Sequence, residues 1–205
     1  MKQKIHIIDY GMGNLHSVIG AIEHLGASLE ITNDPKTIEM ADTLILPGVG
    51  SFYKAMEKLE VSGLSEAIAE AVTIRNRKIL GICLGQQLMS EYSEEDGGKK
   101  GLKLIPGSVS RFNSSLGVKV PHIGFNQVVS DSNSKLFKSL NQTSDFYFVH
   151  SYRLSSMPRP GKSAICNYSG DFVAAYEHEN IFATQFHPEK SQMNGLLVLS
   201  NFLKA

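Results

Sequence analysis

Gly81-Ile82-Cys83-Leu84-Gly85 sets a thiol between two glycines. The segment joins a run that reads as a strand (78–83) to one that reads as a helix (85–92). This is the cysteine counterpart of the G-x-S-x-G nucleophile elbow. A nucleophile on so tight a turn needs neighbours without side chains, which is what glycine two residues to either side supplies. The Leu84 N–H then faces a reacting carbonyl and can stabilise an oxyanion. The start of the helix adds partial positive charge, which favours the thiolate. A buried structural cysteine is the alternative, and the flanking glycines argue against it. Cys166, in Ala164-Ile165-Cys166-Asn167, has no such setting and reads as core packing.

A cysteine nucleophile requires a base, and the base requires a group that holds it. Of seven histidines, His187 stands out, in Gln185-Phe186-His187-Pro188-Glu189. It follows an apolar run that reads as a strand, and Glu189 lies close enough to orient its ring. A Cys83–His187–Glu189 triad is the arrangement these roles demand. A hydrogen-bonded core histidine is the alternative, and it weakens once the elbow is present in the same chain. His6, His16, His24 and His178 read as structural. Pro47-Gly48-Val49-Gly50-Ser51 follows another strand. Its glycines permit a peptide flip and close backbone approach to a ligand. Taken alone it is an ordinary glycine turn, and it lacks the Gly-Lys-Ser/Thr ending of a phosphate loop. Asp9-Tyr10-Gly11-Met12-Gly13-Asn14 lacks a full dinucleotide fingerprint. No His/Cys/Asp spacing suggests a metal, and no cofactor is expected.

The elements that must position these residues alternate. Strands are expected over 4–9, 28–32, 43–46 and 78–83. Helices are expected from Leu15 to a Gly26 stop, over 64–77 and over 85–92. Repeated strand-then-helix order argues for an α/β fold with a mostly parallel sheet covered on both faces. The second half reads as strands over 118–121, 127–130, 146–151, 164–168, 172–178 and 181–186, then a helix over 192–203. The sheet is therefore mixed, flanked by helices, in one domain spanning 1–205.

Composition narrows the function classes. The 205 residues suit one domain, and 42% apolar content is ordinary for a globular core. Twenty basic and twenty acidic residues cancel, so the charge footprint of a general nucleic-acid binder is missing. The clusters at 75–78 and 99–100 read as solvated surface. Two cysteines make no disulfide framework. The N-terminal apolar run is too short for a signal peptide, and no run approaches the ~18 apolar residues of a membrane span. A cytoplasmic protein without membrane contact is expected.

Gly-Ile-Cys83-Leu-Gly with Gln87, together with Phe186-His187-Pro188-Glu189, resembles the class I (triad) glutamine amidotransferases. Ile8-Asp9-Tyr10-Gly11-Met12-Gly13-Asn14, Leu46-Pro47-Gly48-Val49-Gly50, Phe148-Val149-His150-Ser151-Tyr152 and His187-Pro188-Glu189-Lys190-Ser191 look like the branch formed by glutaminase subunits of imidazole glycerol phosphate synthase. The resemblance spans nearly the whole chain. It implies a flavodoxin-like fold and a glutaminase in which Cys83 attacks the side-chain amide of L-glutamine. His187 would then move the proton, Glu189 would orient His187, and the Val49 and Leu84 amides would bind the oxyanion. Gly48, Gly50, Gln87, Glu95, Ser151 and Tyr152 match substrate-binding positions. Asn14, Tyr147 and Lys190 match the contact with a (β/α)8-barrel cyclase that receives the ammonia. A resting loop with the Val49 amide turned away, biased by the partner's nucleotide, is also expected.

One position departs from the pattern. Phe125 stands where that branch usually carries Trp, and the chain has no Trp at all. A paralogous branch that supplies ammonia for aminating surface-polysaccharide sugars often carries Phe there. That reading stands second to histidine biosynthesis. A non-catalytic module on the same fold, and a cysteine peptidase or amidase, are the alternatives of other classes.

Overall fold

The computed structural model describes residues 4–205, and residues 1–3 of the N-terminal stretch lie outside it. The first half alternates strands and helices: β1 (Ile5–Ile8), α1 (Leu15–His24), β2 (Leu29–Thr32), α2 (Pro35–Met40), β3 (Thr43–Gly48), α3 (Phe52–Val61), α4 (Leu64–Ala69), β4 (Lys78–Cys83) and α5 (Leu84–Leu88). Short strands β5 (Tyr92–Ser93), β6 (Lys99–Lys100) and β7 (Ser108–Arg111) follow. Then come β8 (His122–Val129), β9 (Thr143–His150), β10 (Tyr152–Leu154), β11 (Lys162–Asn167), β12 (Asp171–His178), β13 (Ile181–Thr184) and α6 (Gln192–Lys204).

Among the described residues, nine strands form one sheet in the order β2-β1-β3-β4-β13-β12-β11-β8-β9. The part from β2 to β13 is parallel, and the rest is antiparallel. A smaller sheet runs β10-β7-β5-β6. Strand alternation feeds two cores. Ile45, Leu80 and Ile82 join Ile22, Val198 and Phe202 on one face. Leu44, Leu46 and Ile79 join Phe52, Leu59 and Leu64 on the other.

Several expected boundaries move. Residues 118–121 are not a strand: Gly117 sits at φ +77 and Pro121 has no N–H for a ladder, so β8 begins at His122 and runs eight residues. The helix expected over 64–77 is α4 followed by a π turn at Glu70–Ile74, where the Asn180 amide binds the Val72 carbonyl. The helix expected over 85–92 stops at Leu88. Its last carbonyls are captured from outside: Leu102 N–H donates to Leu88 O, and Leu104 and Ile105 N–H to Met89 O. Two helices were not foreseen. Both carry caps: Asp34 before Pro35, and Ser51 accepting from the Lys54 N–H at 3.3 Å.

Candidate active site

Parallel sheets collect their chemistry at the carboxyl ends of the strands. Here the ends of β3 and β4 lie side by side, with Gly48 in register with Cys83. Cys83 sits at φ 55, ψ −107, a backbone region that non-glycine residues avoid. The flanking glycines are obligatory. A Cβ at Gly81 would meet the Gly85 carbonyl carbon at 2.8 Å, and one at Gly85 would fall on the Leu46 carbonyl oxygen. The chain can thus turn from strand to helix in one residue and leave the thiol at the rim.

His187 and Glu189 arrive from beyond β13. The His187 Nδ1 and Glu189 Oε1 are 2.7 Å apart, with side chains 3% and 2% exposed. Burial disfavours the imidazolium, but the Cys83 sulfur and the Glu189 carboxylate outweigh it and raise the His187 pKa to about 10. The Nε2 makes no hydrogen bond among the described residues, which leaves it for the thiol. The backbone keeps the ring in place, because Ser191 Oγ donates to the His187 carbonyl and the His187 N–H donates to Tyr147 O.

A cleft of about 340 Å³ opens onto Cys83. Val49, Gly50, Leu84, Gln87, Glu95, Ser151 and Tyr152, all singled out in the sequence, line it. Gly48, His187 and Glu189 are not among its lining residues. Gln87 Nε2 donates to Tyr152 O at 2.8 Å and to Gln185 Oε1 at 3.0 Å, so its orientation is fixed. Glu95 accepts from the Phe52 N–H at 2.7 Å, and burial raises its pKa. The Val49 N–H does not face the cleft: it donates to Met12 O at 3.1 Å. The oxyanion role expected of it therefore requires the peptide to turn.

Three further contributors were not singled out in the sequence as site residues, although His150 lies inside the matched run Phe148-Val149-His150-Ser151-Tyr152. Gln185 is fully buried and bridges Gln87 to the Cys83 sulfur, with Nε2 3.8 Å from Sγ. It lies two residues before His187, and only that proximity hinted at it. His150 Nδ1 lies 2.8 Å from Tyr152 O, and its Nε2 lies 3.0 Å from His122 Nδ1. Burial lowers His150 to about 3 and His122 to about 4, so this pair is neutral at ordinary pH.

Asn14, Tyr147 and Lys190 stand outside the cleft. Tyr147 packs edge-on against Phe125, ring centroids 5.6 Å apart, and Lys190 is exposed at the end of the turn that carries Glu189. Asn14 is exposed at the start of α1, a helix that touches that same turn. Ile123 and Phe125, 61% and 51% exposed, leave an apolar strip on the outer face of β8. Among the described residues no group of three or more His, Cys, Asp or Glu side chains could hold a metal ion. No helix among them is long and apolar enough to cross a membrane.

The comparisons with known proteins agree with this geometry. The family described as glutamine amidotransferase class-I matches residues 6–205. Imidazole glycerol phosphate synthase subunit HisH 1 of Campylobacter jejuni is 46% identical over 98% of this chain and 99% of its own length. The chloroplastic imidazole glycerol phosphate synthase hisHF of Arabidopsis thaliana is 43% identical over 97% of this chain, which corresponds to 34% of that longer protein. Among solved structures, PurLQS from Thermotoga maritima superposes with a TM-score of 0.73 at 17% identity, covering 100% of this chain and 99% of that one. At that identity the likeness speaks for the fold alone.

Proposed function

This chain belongs to the class I glutamine amidotransferase family, and from that premise we propose that it is the glutaminase subunit of an imidazole glycerol phosphate synthase. The observation that carries the reading is a thiol held on a strained elbow beside an imidazole that Glu189 fixes at 2.7 Å. In this reading His187 takes the thiol proton at Nε2. The Cys83 sulfur adds to the side-chain amide carbon of glutamine, and the carbonyl electron pair moves onto oxygen. The Leu84 N–H and a turned Val49 N–H stabilise that charge. Collapse breaks the C–N bond, and His187 gives its proton to the departing ammonia. Water then attacks the thioester with His187 as base. Glutamate leaves and the thiol is restored. Gln87, Glu95, Ser151 and Tyr152 hold the α-amino and α-carboxylate groups.

Released ammonia is useful only if it stays neutral and does not escape. The apolar strip of Ile123 and Phe125, with Tyr147 packed against Phe125, supports docking of a (β/α)8-barrel cyclase on this face. The acceptor on that subunit would be the histidine-pathway nucleotide, and the site of action the cytoplasm. The resting bond from Val49 N–H to Met12 O supports control by the partner, because a loop turned away avoids idle hydrolysis. The test combines the chain with the imidazole-forming cyclase of the same source and follows glutamate release. A large nucleotide-dependent rise that vanishes in Cys83→Ala is expected. No rise, with Cys83 still labelled by a glutamine-analogue electrophile, would overturn the pathway and favour the sugar-aminating partner that Phe125 suggests.

A further inference from the structure

Tyr10 follows β1 and is 7% exposed. Its hydroxyl is buried and makes no hydrogen bond among the described residues. A buried polar atom without a partner calls for an explanation. The position of the hydroxyl supplies one. A Cβ built on Gly48 would land on it, and the next atom that Cβ would meet is the Leu84 Cβ, at 3.1 Å. The hydroxyl therefore packs against the Gly48 Cα, beside the two residues whose amides are assigned to the oxyanion. Burial, then the nearby Cys83 and Asp9, push the phenol far above its ordinary pKa, so it stays protonated and remains a donor.

The Gly48–Val49 peptide links this orphan donor to the loop. In a trans peptide the N–H and C=O point in opposite directions. The Val49 N–H is now on Met12 O, so the Gly48 carbonyl points away from the Asp9–Asn14 turn. Turning the peptide to bring the N–H into the cleft swings the carbonyl towards that turn. There the Met12 oxygen, another acceptor, would repel it. The orphan donor beside the Gly48 Cα is the Tyr10 hydroxyl.

We propose that Tyr10 is a positioning residue of the oxyanion loop: its hydroxyl donates to the Gly48 carbonyl once the Gly48–Val49 peptide turns to present the Val49 N–H to the reacting oxygen. The inference rests on the glutaminase reading above and adds the residue that stabilises the active state of its loop. It also accounts for glycine at position 48, since a side chain there would displace the hydroxyl.

Tyr10→Phe removes the donor and keeps the ring. Two measurements on the full chain test it. In glutamate release with the cyclase and its nucleotide, kcat falls about tenfold with KM unchanged, which is about 1.4 kcal/mol of transition-state stabilisation. In binding of glutamate γ-semialdehyde to the chain alone, the Cys83 sulfur adds to the aldehyde carbon and the carbonyl pair moves to oxygen, making an oxyanion mimic. Affinity for it falls about tenfold, while glutamine affinity in a Cys83→Ala background does not change. Unchanged kcat and aldehyde affinity would overturn the proposal. So would a parallel loss of glutamine affinity and melting temperature, which marks a purely structural role. If the wild type releases no glutamate with that cyclase, the pathway reading fails, and the aldehyde comparison still decides for or against Tyr10.

Discussion

Replacing Glu189 by Gln changes one atom and one charge on a side chain that is 2% exposed. The carboxylate does two things to His187. It fixes the Nδ1 tautomer at 2.7 Å, and it helps to hold the imidazole pKa near 10 against burial. A hydrogen bond to a charged group is worth about 1.5–3 kcal/mol. At 1.36 kcal/mol per decade that is a loss of about 10- to 150-fold in kcat. The amide has no harmless pose. With its oxygen on Nδ1, its NH2 occupies the place of Oε2, which has no hydrogen-bond partner among the described residues. With its NH2 on Nδ1, the proton is forced onto Nε2 and the ring cannot accept from the thiol. Glutamate release with the partner present measures the loss, and an NMR titration should show His187 ionising well below the wild-type value. A variant within twofold of wild type in kcat would refute the argument that Glu189 orients and charges the base.

Gly85→Ala puts a Cβ onto the Leu46 carbonyl, which is backbone and cannot swing aside. Overpacking of this kind costs about 1–3 kcal/mol, so a lower urea midpoint and slower labelling of Cys83 are expected. Acid should destabilise the protein through His122 and His150. Their folded pKa values, about 4 and about 3, lie below the ordinary ~6.5, so the unfolded chain binds more protons below pH ~6.5. Stability is then fully present above that pH and falls as pH drops towards 4, and His150→Asn should flatten the slope of the denaturation midpoint against pH. Phe125→Ala should weaken binding of the cyclase about tenfold while leaving the melting temperature within a degree or two, as an exposed interface aromatic would. Calorimetric titration of the two subunits checks this.

Much of the site was legible because its signals are local. The glycines around Cys83 report a backbone turn that only they allow. His187 and Glu189 sit two residues apart, so one short stretch carries both. The strand-helix alternation of the first half follows from apolar runs such as 43–46, buried on both faces of a parallel sheet. The sequence therefore singled out a candidate nucleophile, a candidate base and the sheet that presents them. β8 shows where local reading fails. Its inward positions include His122 and Asn126, and its outward ones include Ile123 and Phe125, the reverse of the usual polarity. The inward polar groups are satisfied by His150 and Asn167, which are distant in sequence. Likewise, no local pattern says that the Val49 N–H points at Met12, that Gln185 bridges Gln87 to the thiol, or that Tyr10 rests unpartnered under Gly48. Each depends on the direction of a peptide or a side chain relative to a segment brought near only by folding. The tertiary structure alone decided those directions, because hydrogen bonding and packing are settled between neighbours in space rather than neighbours in the chain.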